Sequence, residues 1–204
     1  IEINGIPFID YQLNYLKKQG ITNVVLCTGF LAEQIIDHVG NGSRYALEIV
    51  YSNDGEKLLG TGGAIKNAIE FLEEDFFILY GDSFLPIDYT PIYEKFIQKK
   101  FPALMTILEN KNQWDKSNVI FDGKKINLYD KKNFSDDMSY IDYGLSLFKR
   151  EIFIKITNNI FDMAEIFTSL SKGNQLDFYE VDQRFYEIGS KQGIEDFSNF
   201  ALKD

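Results

Sequence analysis

The sequence predicts an α/β protein of three layers, a sheet between two sets of helices, with a smaller β-rich insertion. Three observations carry that expectation. Short apolar runs of β type alternate with amphipathic helical patterns through most of the chain. The run Phe76-Phe77-Ile78-Leu79-Tyr80 is apolar at every position, as in a strand covered on both faces, and such strands belong to parallel sheets flanked by helices. Residues 117–148 then change character to shorter β runs with turn signals such as Asp122-Gly123. With 204 residues, 45% of them hydrophobic and 15% aromatic, there is material for one sizeable core. No segment reads as a linker, repeat or low-complexity tract, so a single domain is expected over 1–204.

In chain order, Pro7 opens a helical pattern with Ile9, Leu13 and Leu16 on one stripe, and Gly20 stands where a helix end favours glycine. Asn23-Val24-Val25-Leu26-Cys27-Thr28 is a β run. Gly29 turns the chain into a helix over 31–39, and 48–51 reads as the next strand. Ala64, Ile65, Ala68, Ile69 and Leu72 keep the spacing of an amphipathic helix over 61–72. After the strand at 76–80 come a helix over 92–100 and a strand over 103–109. Beyond the insertion lie a helix over 163–172, short strands within 177–188 and a final helix over 191–201. Cys27, on an apolar run, reads as a small core hydrophobe. His38 reads as a partly exposed helix residue and Trp114 as the anchor of its loop.

Charge and composition exclude several functions. Lys and Arg number 21 against 31 Asp and Glu, a formal net charge of −10. Nonspecific binding to nucleic acid or anionic membrane favours basic faces, so neither partner is expected. A small phosphorylated ligand is compatible, because a few local groups decide that. One cysteine excludes a disulfide framework and a Cys-rich zinc site, and one histidine excludes a centre built on two imidazoles. No apolar run approaches the roughly 18 residues of a membrane span, so the expected location is cytoplasmic.

Chemistry has three places to sit. Glu56-Lys57-Leu58-Leu59-Gly60-Thr61-Gly62-Gly63-Ala64 joins a strand to a helix. Glycines let backbone approach a flat or anionic ligand, and a helix N-terminus offers unpaired N–H donors. The spacing is neither G-x-G-x-x-G nor a Walker P-loop, and a tight strand-to-helix turn would use the same glycines. Gly81-Asp82-Ser83 follows the apolar strand, beyond whose carboxyl end ligands collect in open sheets. An Asp there is placed for a hard cation such as Mg²⁺, or simply caps its turn. Third, Tyr129-Asp130-Lys131-Lys132 and Tyr140-Ile141-Asp142-Tyr143-Gly144 offer a cation for a phosphate, unless the lysines merely line a solvated hairpin end. Tyr186-Glu187-Ile188-Gly189-Ser190 adds a carboxylate before a glycine turn and a helix.

Taken together and in this order, these segments resemble the sugar-1-phosphate nucleotidylyltransferase family over essentially all 204 residues. Asn4-Gly5-Ile6-Pro7-Phe8 is similar to the Gly-Lys-Pro start of the family's first long helix, and Gly20-Ile21-Thr22 and Gly29-Phe30 follow in place. The resemblance implies a Rossmann-like nucleotidyltransferase fold with a mixed, mostly parallel sheet. It also implies transfer of a nucleoside monophosphate from a nucleoside triphosphate to a sugar 1-phosphate, with Mg²⁺ as cofactor. By position, Glu56, Gly60, Thr61, Gly62 and Gly63 would seat the nucleotide. Asp82 would bind the catalytic Mg²⁺ together with Glu187, Lys131 would meet the sugar phosphate, and Asp142 and Gly144 would hold the sugar. Asp82, Lys131 and Glu187 are thus the implied catalytic set.

Two departures from the family pattern stand out. Glu187 occupies a position where the family usually has Asp, in an Asp-x-Gly-Thr context, and the extra methylene changes its reach. Family members also carry a first strand and a G-G-x-G-T-R loop that wraps the triphosphate, and the sequence starts at Ile1, just after that point. The expectation is that such a segment precedes Ile1 in the whole protein and that residues 1–204 alone are nearly inactive. Two other readings fit fewer of the motifs. A sugar-nucleotide-binding regulatory module fits a chain without that loop. A metal-dependent glycosyltransferase would want an Asp-x-Asp pair, where this chain has Gly81-Asp82-Ser83-Phe84. Which base, which sugar and which oligomeric state are not encoded legibly.

Overall fold

The computed structural model, which describes residues 1–203, opens on a hairpin of β1 (Glu2–Ile3) and β2 (Ile6–Pro7). Asn4 and Gly5 make its turn, both at positive φ, as a two-residue hairpin requires. Helix α1 (Phe8–Lys18) starts directly after Pro7 and carries Lys17 and Lys18 in its last turn, favourable at the negative end of its dipole. Then follow β3 (Asn23–Thr28), α2 (Ala32–Val39), β4 (Glu48–Asn53), α3 (Gly60–Asn67), β5 (Asp75–Leu79) and β6 (Ser83–Phe84). The second half holds α4 (Thr90–Gln98), β7 (Ala103–Glu109), β8 (Val119–Phe121), β9 (Ile126–Tyr129) and β10 (Tyr140–Lys149). It ends with α5 (Glu151–Ile154), α6 (Met163–Lys172), β11 (Leu176–Val181), β12 (Tyr186–Glu187) and α7 (Lys191–Ala201).

The main sheet has the order β11-β7-β10-β8-β9, with β5 on the other part of β10. Strands β5, β7 and β11 run one way, and the long β10 lies reversed between β5 and β7. The fold is the mixed α/β sheet that the sequence predicts, although every ladder made by β10 is antiparallel. The apolar strand 76–80 does have both faces covered. Phe76 and Ile78 pack with Met105, Phe148, Phe153 and Phe167 on the side of α5 and α6. Phe77 and Leu79 pack on the other side with Tyr89, Ile92 and Phe96 of the α4 region. A separate core joins Leu13 and Leu16 of α1 to Val24, Leu26, Ile49 and Tyr51 of β3 and β4.

Two local expectations are revised. The helix expected over 61–72 stops at Asn67, whose amide reaches back to the Ser52 hydroxyl and the Asn53 carbonyl, and a 3₁₀ turn covers Ile69–Phe71. Cys27 is exposed rather than a core residue, because among the described residues β3 and β4 pair only with each other, in parallel. His38 is a partly exposed residue of α2, as expected, and its Nε2 lies 2.7 Å from Asp10 Oδ1, where Tyr45 and Arg44 also converge. Trp114 anchors its loop as expected, packed edge-on against Phe185 with Arg184 over its ring. No described helix is long and apolar enough to cross a membrane.

Candidate active site

Strand β5 delivers the chain to Tyr80-Gly81-Asp82-Ser83, a turn closed by the Ser83 N–H donating to the Tyr80 carbonyl at 3.2 Å. Strand β6 then pairs antiparallel with β12, setting Ser83 opposite Glu187, and the Ile188 N–H donates to the Asp82 carbonyl at 2.9 Å. This two-residue ladder brings together two acidic residues that are remote in sequence. An ideal Cβ built on Gly189 would stand 2.8 Å from Oε2 of Glu187 and 4.0 Å from Oδ2 of Asp82, so both carboxylates border one point.

The two carboxylates are held differently. Glu187 accepts from the Gly189 N–H at 2.7 Å and from the Ser190 hydroxyl at 2.8 Å. Ser190 is the N-cap of α7, and its Oγ accepts from the Gly193 N–H at 2.9 Å. The Glu187 carboxylate therefore sits at the positive end of a helix dipole, with Gly189 and Gly193 leaving it room. Asp82 is exposed, and its Oδ1 accepts only from the Ser83 hydroxyl, at 3.2 Å, among the hydrogen bonds of the described residues. Among the described residues no cluster of three or more acidic, imidazole or thiol groups forms. Two carboxylates suit a magnesium ion that keeps waters and takes its remaining ligands from substrate phosphates.

The second group lies along β8, β9 and β10. Gly144, at φ +101, forms the bulge where the register of β10 against β7 shifts between Asp142 and Ser146. Its N–H donates to Asp142 Oδ1 at 3.0 Å, while the Asp142 N–H donates to Asn118 Oδ1 at 2.9 Å. Burial pushes the Asp142 carboxyl up to about 6, against the opposing pull of the Gly144 N–H and the Lys131 ammonium. Lys131 is exposed at the end of β9. Its neighbour Asp130 builds the turn rather than the site: it accepts from Asn133 and from the Lys132 and Asn133 N–H groups, which hold its carboxyl down at about 2.

Tyr80 links the two groups. A Cβ on Gly144 would touch its ring at 3.6 Å. Burial, then the charge of Asp142, with Tyr129, Asp162 and Asp82 adding, pushes the Tyr80 hydroxyl far above its ordinary value. Sequence reasoning missed Tyr80, Asn118 and Asp162. The position of Tyr80 directly before Gly81-Asp82 was a signal for it. Asn118 and Asp162 left none, since Asn118 sits in a polar loop and Asp162 reads only as the N-cap of α6, accepting from the Ala164 N–H.

The glycine-rich segment has partners within the chain. The N–H groups of Gly62 and Gly63 both donate to the Phe161 carbonyl, at 3.0 and 3.1 Å, and the Phe161 N–H donates to the Leu59 carbonyl. The Thr61 hydroxyl accepts from the Met163 N–H at 2.9 Å. A Cβ on Gly60 would come within 2.6 Å of the Phe161 carbonyl oxygen, and one on Gly63 within 2.4 Å of that of Asn159. These glycines thus bring residues 159–163, Asp162 included, against the start of α3. Glu56 is exposed in the loop after β4.

Comparison with known proteins matches the profile of a family described as Nucleotidyl transferase to residues 1–200. A D-glycero-alpha-D-manno-heptose 1-phosphate guanylyltransferase from Aneurinibacillus thermoaerophilus is 33% identical over 153 residues, 74% of this chain and 65% of the relative. The protein of the same description from Campylobacter jejuni subsp. jejuni is 40% identical over 86 residues, 42% of this chain and 38% of the relative. The chain thus spans less than two thirds of the length of these curated relatives. Among solved structures, HddC from Yersinia pseudotuberculosis superposes with a TM-score of 0.84 at 20% identity, covering 98% of this chain and 88% of that one. A likeness at that identity speaks to the fold.

Proposed function

The chain belongs to the nucleotidyl transferase family, and from that premise we propose that the whole protein transfers a nucleoside monophosphate from a nucleoside triphosphate to a sugar 1-phosphate, releasing pyrophosphate, with Mg²⁺ as cofactor. The observation that carries this reading is the meeting of Asp82 and Glu187 at the β6–β12 ladder. In-line attack by a sugar-phosphate oxygen on the α-phosphorus needs no general base, because the nucleophile is already an anion. Positioning and charge compensation supply most of the catalysis of phosphoryl transfer.

Asp82 and Glu187 are the residues to hold Mg²⁺, which when bound would neutralise phosphate charge and align the reacting groups. Lys131 offsets the charge of the incoming sugar phosphate. Asp142 and the Gly144 bulge accept and space sugar hydroxyls beside Tyr80. Glu56, Thr61 and the exposed edge of the Gly60–Gly63 turn face the nucleotide, with residues 159–163 as the support behind them. We extend the reading to an upstream strand and phosphate-wrapping loop. It is supported by two open edges, since among the described residues β3 pairs only with β4 and β5 only with β10.

The test is pyrophosphate release by the protein with its upstream sequence, assayed against a panel of triphosphates and sugar 1-phosphates. GTP with a heptose 1-phosphate is the first pair to try, given the curated relatives. We expect turnover that falls at least 10²-fold in Asp82→Asn and in residues 1–204 alone, since losing one preorganised charge-stabilising group costs about 10²–10³ in rate. Sugar-nucleotide binding with no turnover on any pair would instead make the protein a regulatory module.

A further inference from the structure

Helix α1 carries a polar row that its apolar stripe conceals. Gln12, Tyr15 and Gln19 stand three and four residues apart, so they share one face, and each bonds the backbone of the segment that follows β5. The Gln12 amide donates to the Tyr80 carbonyl at 3.1 Å and to the Ser83 carbonyl at 2.8 Å. The Tyr15 hydroxyl donates to the Ile87 carbonyl at 3.1 Å, and Gln19 Oε1 accepts from the Tyr89 N–H at 2.9 Å. Gln12 is only 8% exposed.

Both protons of the Gln12 amide are committed, and the carbonyls that receive them flank Gly81-Asp82 on either side. The third carbonyl of the turn, that of Asp82, is taken by the Ile188 N–H from β12. The exposed Asp82 side chain has one hydrogen-bonding side-chain neighbour among the described residues, Ser83. Its aim therefore depends on the backbone that carries it. That backbone is gripped from one side by α1 through Gln12 and from the other by β12, which also carries Glu187. A buried amide needs partners, but any pair of acceptors would satisfy it. These two fix the turn.

We propose that Gln12 is a positioning residue that sets the aim of the Asp82 carboxylate for a divalent cation. The inference rests on the reading of Asp82 and Glu187 as the cation's ligands. Gln12 touches neither substrate nor cation and acts only through the Tyr80–Ser83 turn. Partners that orient a metal's ligands are typically worth about 10–100-fold in metal affinity. Removing the amide should weaken divalent-cation binding by about tenfold, at the lower end of that range.

The experiment measures Mn²⁺ binding to the full-length protein by electron paramagnetic resonance, together with thermal midpoints. Four variants are compared: Gln12→Met, Gln12→Asn, Gln19→Met and Asp82→Asn. Gln12→Met, which keeps length and packing but has no donor, should weaken Mn²⁺ binding about tenfold. It should raise the Mg²⁺ needed for half-maximal turnover in step, with KM for the sugar phosphate unchanged. Gln12→Asn, one methylene short, should show the same loss in milder form, and it carries the comparison if Gln12→Met does not fold. Gln19→Met removes the bond to Tyr89 at the far end of the row and should lower the thermal midpoint without changing Mn²⁺ affinity. Wild-type Mn²⁺ affinity in the Gln12 variants, with Asp82→Asn abolishing it, overturns the positioning role alone. Undiminished affinity in Asp82→Asn overturns the reading of the site on which that role rests.

Discussion

At the scale of single residues, Asp142 shows how a fold sets a charge. Its carboxyl lies part-buried at the β10 bulge with its pKa raised to about 6, burial outweighing the Gly144 N–H and Lys131. A carboxyl near 4 in the unfolded chain then binds its proton more tightly when folded. Below about pH 4 the carboxyl is protonated in both states and costs nothing. As pH rises from 4 through 6 the unfolded chain gives up its proton first, stability falls, and the full penalty is present at neutral pH. Asp142→Asn keeps an acceptor for the Gly144 N–H and removes the charge. It should stabilise the chain at pH 7.5 by about 1–2 kcal/mol, allowing for partial exposure, and the difference should vanish below pH 4. Equilibrium denaturation across that range reads it, and an equal gain at pH 3.5 would be the wrong result. The same variant should raise KM for the sugar phosphate. In the sequence Asp142 is a candidate through the resemblance of Asp142-Tyr143-Gly144 to a family segment, but its protonation is not legible, because that depends on what surrounds it.

Among elements, the β12–α7 junction decides whether Glu187 faces Asp82. The Ser190 cap and the glycines at 189 and 193 wrap the Glu187 side chain. A Cβ on Gly193 would fall 2.1 Å from the Glu187 carbonyl oxygen and 2.6 Å from Oε1. Helix propensity alone favours Ala over Gly by about 1 kcal/mol in a helix. The backbone clash opposes it, and overpacking of this kind costs about 1–3 kcal/mol. We expect the clash to win: Gly193→Ala should lower stability and reduce Mg²⁺-dependent turnover of the full-length protein. A rise in the thermal midpoint with full activity would show that Glu187 moves aside freely. The glycines at 60–63 carry a related lesson. Their spacing marked a close approach of backbone, and in the structure that approach is to residues 159–161. Glycine spacing announces that something comes near without saying whether it is ligand or chain.

For the molecule as a whole, among the described residues the main sheet and the β3–β4 pair are joined by helices rather than by strand pairing. Helix α1 bridges them, packing Leu13 and Leu16 toward β3 and β4 while Gln12 and Tyr15 bond the segment after β5. Open strand edges have unpaired donors and exchange amide protons readily. In residues 1–204 the amides of Asn23–Thr28 should exchange faster than those of Ala103–Glu109, which lie between two partner strands. If an upstream strand fills the open edges, the full-length protein should slow exchange in Asn23–Thr28 and Asp75–Leu79 by at least tenfold, an effective stabilisation of about 1.4 kcal/mol at those amides. Hydrogen exchange by mass spectrometry on both proteins reads this directly, and unchanged rates would remove the support for a strand at those edges.

Local pattern alone determined the class of fold, the alternation of its elements and the candidacy of Asp82, because apolar periodicity and turn chemistry act over a few residues. The candidacy of Lys131, Asp142 and Glu187 came from the order of their motifs and its resemblance to a family. Only the tertiary structure decided that Asp82 and Glu187 meet across a two-residue ladder, that Gln12 grips the turn between them and the sheet, and that Cys27 lies exposed. Each of those depends on which edge pairs with which and on what a neighbouring element covers. Such choices are made by long-range packing, where sequence separation leaves no local trace.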